Sequence, residues 1–264
     1  MLASAPLLAA SVNAPFLFGR SLWQETRIPL FEQSIALFDR TGRDGRVSFG
    51  NGYVQSSLFE LFVQNRDVYP VLLPILFDDS PSALRHMRLH NGTIWRWNRP
   101  LAGFEDDSTP HLRIEHRTMP AGPTIVDMIA NAAAYFGVVL DIADNPDLGA
   151  DSLPFERAMH SFYEAARHGL DARIDWPRIG RVPARSLLLD HVLPAARRGL
   201  QAFCVSEADI DFFLGVLEAR VANGQTGAKW QIEALERYGG NFHEMMSVYC
   251  ERQRSGAPVH QWDL

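Results

Sequence analysis

Pro120-Ala-Gly-Pro123 divides the chain into two textures, and the residues beyond it read as one helix after another. Thr124 stands where its hydroxyl can cap a long apolar helix running to about Leu140, because a Thr side chain accepts from the free N–H groups of a first helical turn. Apolar residues on nearly every side of that segment predict burial against other elements. Further amphipathic helices are expected near 151–168, 184–199, 206–223, 226–238 and 241–254. Ser206-Glu-Ala-Asp-Ile210 is a helix start whose acids face the positive end of the helix dipole.

The stretch before the break is richer in aromatics, glycine turns and short apolar runs. Leu30, Phe31, Ile35, Leu37 and Phe38 space a short helix over Pro29–Asp39. A turn follows at Thr41-Gly-Arg-Asp-Gly45, then a short strand at Arg46–Phe49 before Gly50-Asn-Gly52. Ser56–Gln64 reads as helix again. Ser80-Pro81 opens another, with Pro at the first helical position behind a Ser cap, and Asn91-Gly92 closes it. Thr93–Asn98 and His111–Arg117 are the clear strands, expected as an antiparallel pair around a long polar loop from Pro100 to Pro110. The fold class is therefore α+β: a small antiparallel sheet followed by a helical C-terminal half. Residues 1–264 are read as a single domain with a mixed part (1–120) and a helical part (121–264).

Composition removes several function classes. With 47% hydrophobic residues over 264 positions, disorder and a disulfide-stapled miniprotein are excluded. Such a length can bury roughly 70–75% of the surface its unfolded form exposes. A formal charge of -6 argues against a nucleic-acid partner, which needs a concentrated positive field. Lys229 is the only lysine, so arginine carries nearly all the positive charge. Cys204 and Cys250 are too few for a disulfide framework or a cysteine zinc site, and a reducing cytoplasm is the expected compartment. No run of some 20 apolar residues reads as a membrane span. The apolar start, Met1–Ala14, lacks a charged leader and is expected to be a buried helix or turn.

The chemistry concentrates in Leu112-Arg113-Ile-Glu115-His-Arg117. Strand alternation puts Arg113, Glu115 and Arg117 on one face and Leu112, Ile114 and His116 on the other. A basic-acidic-basic row suits a carboxylate-held Mg²⁺ flanked by guanidiniums that fork onto phosphate oxygens. Taken alone, the same row reads first as a solvated face of mutually paired charges. Trp95-Arg96-Trp97-Asn98-Arg99 adds two guanidiniums on the expected partner strand, with Trp95 and Trp97 read as core. His86 and His90 have metal-compatible i, i+4 spacing but no accompanying base, and His111 and His116 are expected to be hydrogen-bonded structural groups. Neither glycine-rich stretch forms a phosphate loop, no G-x-S-x-G elbow occurs, and Cys204 has no histidine partner. In the helical half only Lys229-Trp230 is placed near a site.

Several stretches resemble, in order, the bacterial carboxylate-amine ligase or glutamate-cysteine ligase type 2 family. They are Asn13-Ala-Pro-Phe-Leu-Phe-Gly-Arg20 with Leu22-Trp-Gln-Glu-Thr-Arg-Ile28, His90-Asn-Gly-Thr-Ile-Trp-Arg-Trp-Asn-Arg-Pro100, and His111-Leu-Arg-Ile-Glu-His-Arg-Thr-Met-Pro-Ala-Gly-Pro-Thr124. Thr226-Gly-Ala-Lys-Trp-Gln231 and Ser255-Gly-Ala-Pro-Val-His-Gln-Trp262 complete the likeness. The resemblance implies part of a glutamine-synthetase-like antiparallel sheet holding ATP and divalent ions. It also implies phosphorylation of a side-chain carboxylate followed by attack of an amine.

By that resemblance Glu115 is a Mg²⁺ ligand, Arg117 and Arg99 are catalytic holders of phosphate or acyl-phosphate oxygens, and Arg113 is a neighbour in the phosphate site. Glu25 and Arg27 are implied to hold the α-amino and α-carboxylate groups of the amino-acid substrate. The implied substrates are glutamate and an amine acceptor, cysteine being the family's label, with glutathione biosynthesis as the setting. The family's Gly-x-Glu-x-Glu strand has no counterpart in these 264 residues, so the chain is expected to correspond to the C-terminal half of the ligase domain. The implied partners are a separate N-terminal half or a second copy, with no nucleic acid and no membrane. The alternative expectation is a catalytically incompetent half-domain that serves as a binding module.

Overall fold

The computed structural model describes residues 1–36, 45–106, 108–145, 148–149 and 152–264. Leu37–Asp39 of the helix expected over Pro29–Asp39, Thr41–Asp44 of the expected turn, Asp107 and Asp151 lie outside those residues. In chain order the first elements are α1 (Ser4–Ser11), β1 (Phe16–Leu17), β2 (Arg20–Ser21), α2 (Arg27–Ser34), α3 (Phe59–Val68), α4 (Arg85–Gly92), β3 (Asn98–Phe104) and β4 (Pro110–His116). Then come α5 (Ile125–Asp144), α6 (Phe155–His168), β5 (Arg173–Trp176), β6 (Gly180–Pro183), α7 (Ala184–Leu187), α8 (Leu193–Ala202), α9 (Glu207–Asn223), α10 (Gly227–Arg237) and α11 (Phe242–Ser255). The class is α+β, with a helical C-terminal half and small antiparallel sheets. Among the described residues the sheets are three separate two-stranded ladders. Residues Met1–Arg27 with Met119–Leu264 form one compact unit, and Ile28–Thr118 form a second.

The larger unit is built round α1, whose eight residues are all buried. Its sequence, Ser-Ala-Pro-Leu-Leu-Ala-Ala-Ser, has no charge to solvate, and its small side chains let neighbouring helices approach. Helix α5 starts where the sequence places it, with the Thr124 hydroxyl accepting from the Asp127 N–H. Its close neighbour is α8, and glycine sets that distance. A Cβ on Gly137 would lie 2.2 Å from the Ala196 carbonyl oxygen, and one on Gly199 would lie 1.9 Å from the Gly137 carbonyl oxygen. The two backbones therefore touch only because neither residue has a side chain.

Burial all round α5 does not hold. Asp127, Ala130, Asn131, Ala134, Gly137 and Val138 face inward, while Ile125, Ile129 and Phe136 are exposed. By length and apolar content α5 could cross a membrane, which corrects the expectation that no segment reaches that length. Its inward face carries an aspartate and an asparagine tied to Arg220 of α9. The Arg220 guanidinium is buried, lies 2.7 Å from Asp127 Oδ1, and donates to Asn131 Oδ1 at 2.6 Å and to the Ala10 carbonyl at 3.2 Å. The Val259 N–H donates to the other Asp127 oxygen at 3.1 Å.

Helix α9 starts behind Ser206 as expected, and α10 and α11 begin where their expected ranges do, capped by Thr226 and Asn241. The single helix expected over 184–199 is divided into α7, a wide π-type turn at Leu188–Val192, and α8. Pro194 follows that turn by two residues. It has no N–H to donate, and the wide turn accommodates its ring without ending the helix. Trp230, Ala234, Met245, Tyr249, Val259 and Trp262 close a separate aromatic cluster at the C-terminal end.

In the smaller unit the strand positions shift from expectation. The sequence reading placed the first strand at Thr93–Asn98, but β3 runs from Asn98 to Phe104, and the expected loop at Pro100 is strand. Pro100 sits opposite Ile114 in the ladder. A two-stranded ladder leaves each strand one open side, so a missing N–H there breaks nothing. The Trp95 and Trp97 N–H groups instead donate to the carbonyls of Arg46 and Ser48, so the strand expected at Arg46–Phe49 is realised as this local pairing. Ser80 caps a short 3-10 turn, Pro81–Ala83, and Leu84 at φ 53 separates it from α4.

Breaking a buried ion pair by removing one partner costs about 3–5 kcal/mol. Arg220→Met is therefore expected to lower the urea midpoint by that equivalent, whereas a shift below about 1 kcal/mol would show that α1, α5 and α9 do not depend on it.

Candidate functional site

The β3–β4 register sets Arg99 directly opposite Glu115 and Leu101 opposite Arg113. Arg99 Nε lies 2.8 Å from Glu115 Oε2, and Arg117 Nε lies 3.7 Å from the same oxygen. One carboxylate is thus held between two guanidiniums. All three groups are half-buried, with Arg99 at 16%, Arg117 at 25% and Glu115 at 37% exposure. That degree of cover strengthens electrostatics relative to open water while leaving the group reachable.

An aromatic set supports this face. The Arg117 guanidinium carbon sits 5.5 Å from the centroid of the Phe31 ring, a cation–π arrangement. Phe31 meets the rings of Trp95 and Trp97 edge-on. Trp97 is buried, as expected of core, and its indole N–H donates to Glu32 at 2.9 Å. Trp95 is half-exposed.

Arg113 is not brought to Glu115. It contacts the His111 ring, whose other nitrogen lies 2.9 Å from Glu105, so these three make their own group near the hairpin end. Gly103 faces them from β3, where a Cβ would come within 2.7 Å of the Arg113 guanidinium. Arg96 is also absent from the exposed face. It is buried, and it donates from Nε and Nη2 to Asn65 Oδ1 at 3.0 and 2.8 Å and from Nη2 to Gln64 at 2.7 Å. Gly50, at φ +85, is required beside it, because a Cβ there would lie 1.8 Å from Arg96 Nη1. The expected convergence of four arginines on one surface is therefore a set of two around Glu115, with Arg113 at the hairpin end and Arg96 in the core.

Sequence reasoning missed a second buried guanidinium, Arg46, which donates to the Thr93 carbonyl at 3.0 Å and to the Pro70 carbonyl at 2.6 Å. Among the described residues no carboxylate pairs with Arg46 or Arg96. The signal available was the alternation of Arg46 with Val47 and Phe49, and of Arg96 with two tryptophans.

Glu25 and Arg27 belong to the larger unit. Glu25 is fully buried, accepts from the Asn13 N–H at 2.8 Å, and takes the Arg27 Nε–H at 3.1 Å. Burial raises its carboxyl above the usual range, against the opposing pull of Arg27. Its carboxylate is fully occupied within the unit, and Arg27, at 34% exposure, is the member of the pair that reaches solvent. Lys229 pairs with Glu233 at 3.6 Å, and Trp230 is core.

No group of three or more His, Cys, Asp or Glu residues placed to hold a metal occurs among the described residues. His86 takes the Phe77 N–H, and His90 bonds the Asn65 carbonyl. Glu115 supplies one oxygen ligand and is already shared by two guanidiniums, so these residues do not make a magnesium site by themselves. They do fit an anion: removing Glu115 from the pair of arginines would leave two cationic forks side by side.

His116, on the opposite face of β4, bonds Asn98 Oδ1 at 2.8 Å and the Thr118 hydroxyl at 2.7 Å, the structural role expected of it. Burial pulls its pKa from 6.5 down to about 3. Between those values the unfolded chain binds a proton that the folded chain does not, so stability is full above about 6.5 and declines as pH falls. The wild type is expected to lose urea resistance on going from pH 7 to about pH 4 more steeply than His116→Gln. Equal slopes would remove His116 as the cause.

A family model described as glutamate-cysteine ligase family 2 (GCS2) matches residues 1–253. A comparison with curated proteins finds no match.

Proposed function

The chain belongs to glutamate-cysteine ligase family 2, and from that premise we propose that it takes part in ATP-dependent joining of a carboxylate to an amine through an acyl phosphate. Membership itself implies an activity of carboxylate-amine ligase type. Glutamate is the proposed carboxylate and cysteine the proposed amine, in cytoplasmic glutathione biosynthesis.

In the proposed reaction an oxygen of the glutamate side chain bonds the terminal phosphorus of ATP, and the bond from that phosphorus to ADP breaks. The amine nitrogen then bonds the acyl carbon, phosphate leaves with the electrons of the C–O bond, and the nitrogen gives up its proton. Negative charge on the transferring group is what the protein must hold, and positioning with electrostatic stabilisation does most of the work in phosphoryl transfer. Arg99 and Arg117 are the proposed holders of phosphoryl oxygens. Glu115 fixes the two guanidiniums side by side and would supply one oxygen to a magnesium ion held together with other groups. Arg113 lies farther along β4 and is proposed for the distal end of the polyphosphate. In the larger unit Arg27 is proposed to meet a substrate carboxylate, with buried Glu25 orienting it.

The observation carrying this reading is the half-buried Glu115 carboxylate set between Arg99 and Arg117. A second reading is a non-catalytic module that binds nucleotide or docks to a partner contributing acidic residues.

Titration calorimetry with ATP, with and without magnesium, tests the site, and phosphate release with glutamate, with and without cysteine, tests the reaction. Arg99→Ala and Arg117→Ala are each expected to weaken ATP binding at least tenfold, about 1.4 kcal/mol. Glu115→Gln should tighten metal-free ATP binding by freeing both forks and should abolish any gain from magnesium. ATP binding unchanged in all three variants would sink the phosphate-site proposal. Binding without glutamate-dependent release would favour the module.

A further inference from the structure

Helix α5 carries a second apolar face, largely exposed among the described residues of the larger unit. Ile125, Ile129, Ala132, Phe136, Val139 and Ala143 recur at intervals of four, three, four, three and four residues. The intervals average 3.6 residues, one turn of an α-helix, so all six lie along one side of it, a seam where a second helix can pack lengthwise. Along the seam Ile125 is 72% exposed, Ile129 44%, Phe136 61% and Val139 39%. Isolated exposed apolar residues are ordinary, but a continuous row of them marks an interaction surface.

We propose that this seam is the self-association surface of the chain, and that its occupant is the same helix of a second copy, laid antiparallel. Three observations select that occupant. First, the 20-residue length makes the seam about 30 Å long. A helix pair of that length and about 10 Å diameter buries on the order of 1,000 Å² in total, the lower bound for a specific interface.

Second, the charge on α5 is one-sided. It carries Asp127, Asp141 and Asp144 and no Lys, Arg or His. Asp127 is paired with Arg220 inside, and Asp141 is held by a two-pronged bond to Arg198 of α8 at 2.8 and 2.9 Å. Asp144 remains exposed at the C-terminal end. An antiparallel copy sets each Asp144 near the N-terminal turn of the other helix, where dipole and free N–H groups favour a carboxylate. A parallel copy would set the two Asp144 carboxylates side by side.

Third, the inward face cannot be given up to another partner. Gly137 touches the backbone of α8, and Asp127 is bonded to Arg220 and Val259. The exposed seam is therefore what α5 has to offer, and it is self-complementary: with Ile125 opposite Ala143 of the copy, Ile129 meets Val139 and Ala132 meets Phe136, each contact occurring twice. This inference is independent of the nucleotide reading, since it concerns the larger unit and is read as mass.

Sedimentation velocity of the full chain tests it. The wild type is expected to sediment with twice the 29.7 kDa of one chain, and Phe136→Ala should weaken association at least tenfold. Ile129→Lys and Val139→Glu should each be monomeric, and an equimolar mixture should restore the dimer, because that pairing makes one Lys–Glu contact and keeps one Ile–Val contact. A wild type that stays monomeric, or a dimer indifferent to Phe136→Ala, overturns the proposal. Failure of the mixture to associate overturns the antiparallel register. Monomer that instead binds neutral phosphatidylcholine vesicles assigns the seam to a lipid surface and overturns it as well.

Discussion

The pair formed by Asp127 and Arg220 organises the larger unit. Burial disfavours the Arg220 charge and Asp127 opposes that effect, so removing either group leaves the other buried and uncompensated. Further hydrogen bonds of the pair run to the end of α1, to Asn131 of α5 and to the backbone at Val259. One ion pair therefore fixes where three helices and the C-terminal segment meet. Apolar packing alone would be less selective, because α1 and the inner face of α5 are lined by small residues that could slide past one another. The directional bonds remove that freedom, a role for buried charge that is better attested than a net gain in stability.

The same constraint explains why α5 has two apolar faces. With Asp127 and Asn131 turned to Arg220, and Gly137 against α8, the helix has one permitted rotation about its axis. Ile125, Ile129, Phe136 and Val139 are then directed outward whatever their hydrophobicity. From sequence the helix reads as buried all round, since hydropathy registers how apolar a residue is and not which side a distant arginine claims. Arg220 lies 93 residues from Asp127, beyond any local pattern.

Legibility in the sequence followed the range of the forces involved. Helix starts at Thr124, Ser206 and Thr226 are set by hydroxyls acting three residues away, and they were readable to within a residue. The wide turn before Pro194 and the displacement of β3 beyond Pro100 depend on how a missing N–H is accommodated by neighbours, which proline alone does not specify. The β5–β6 hairpin went unread because Pro177, Arg178 and Gly180 interrupt it within eight residues. In the site, alternation along β4 put Glu115 and Arg117 on one face, and the cross-strand register then supplied Arg99. It could not show that Arg113 would turn to His111, nor that Arg96 would be enclosed by Asn65 and Gln64.

The two units treat buried arginine differently, and the difference bears on function. In the larger unit Arg220 has a carboxylate partner of its own. In the smaller unit Arg46 and Arg96 are held by carbonyl, amide and hydroxyl oxygens, with no carboxylate, among the described residues. Dipoles of that kind stabilise a guanidinium without cancelling its charge. The smaller unit thus keeps positive charge in its interior, where solvent screens it less than at the surface. Among the described residues Glu115 is the carboxylate set between the half-buried guanidiniums of Arg99 and Arg117. A fold that needed only neutrality would have placed acids beside Arg46 and Arg96, as the larger unit does beside Arg220. Retaining the charge costs stability, and in the proposed function that charge attracts the phosphate oxygens assigned there to Arg99 and Arg117.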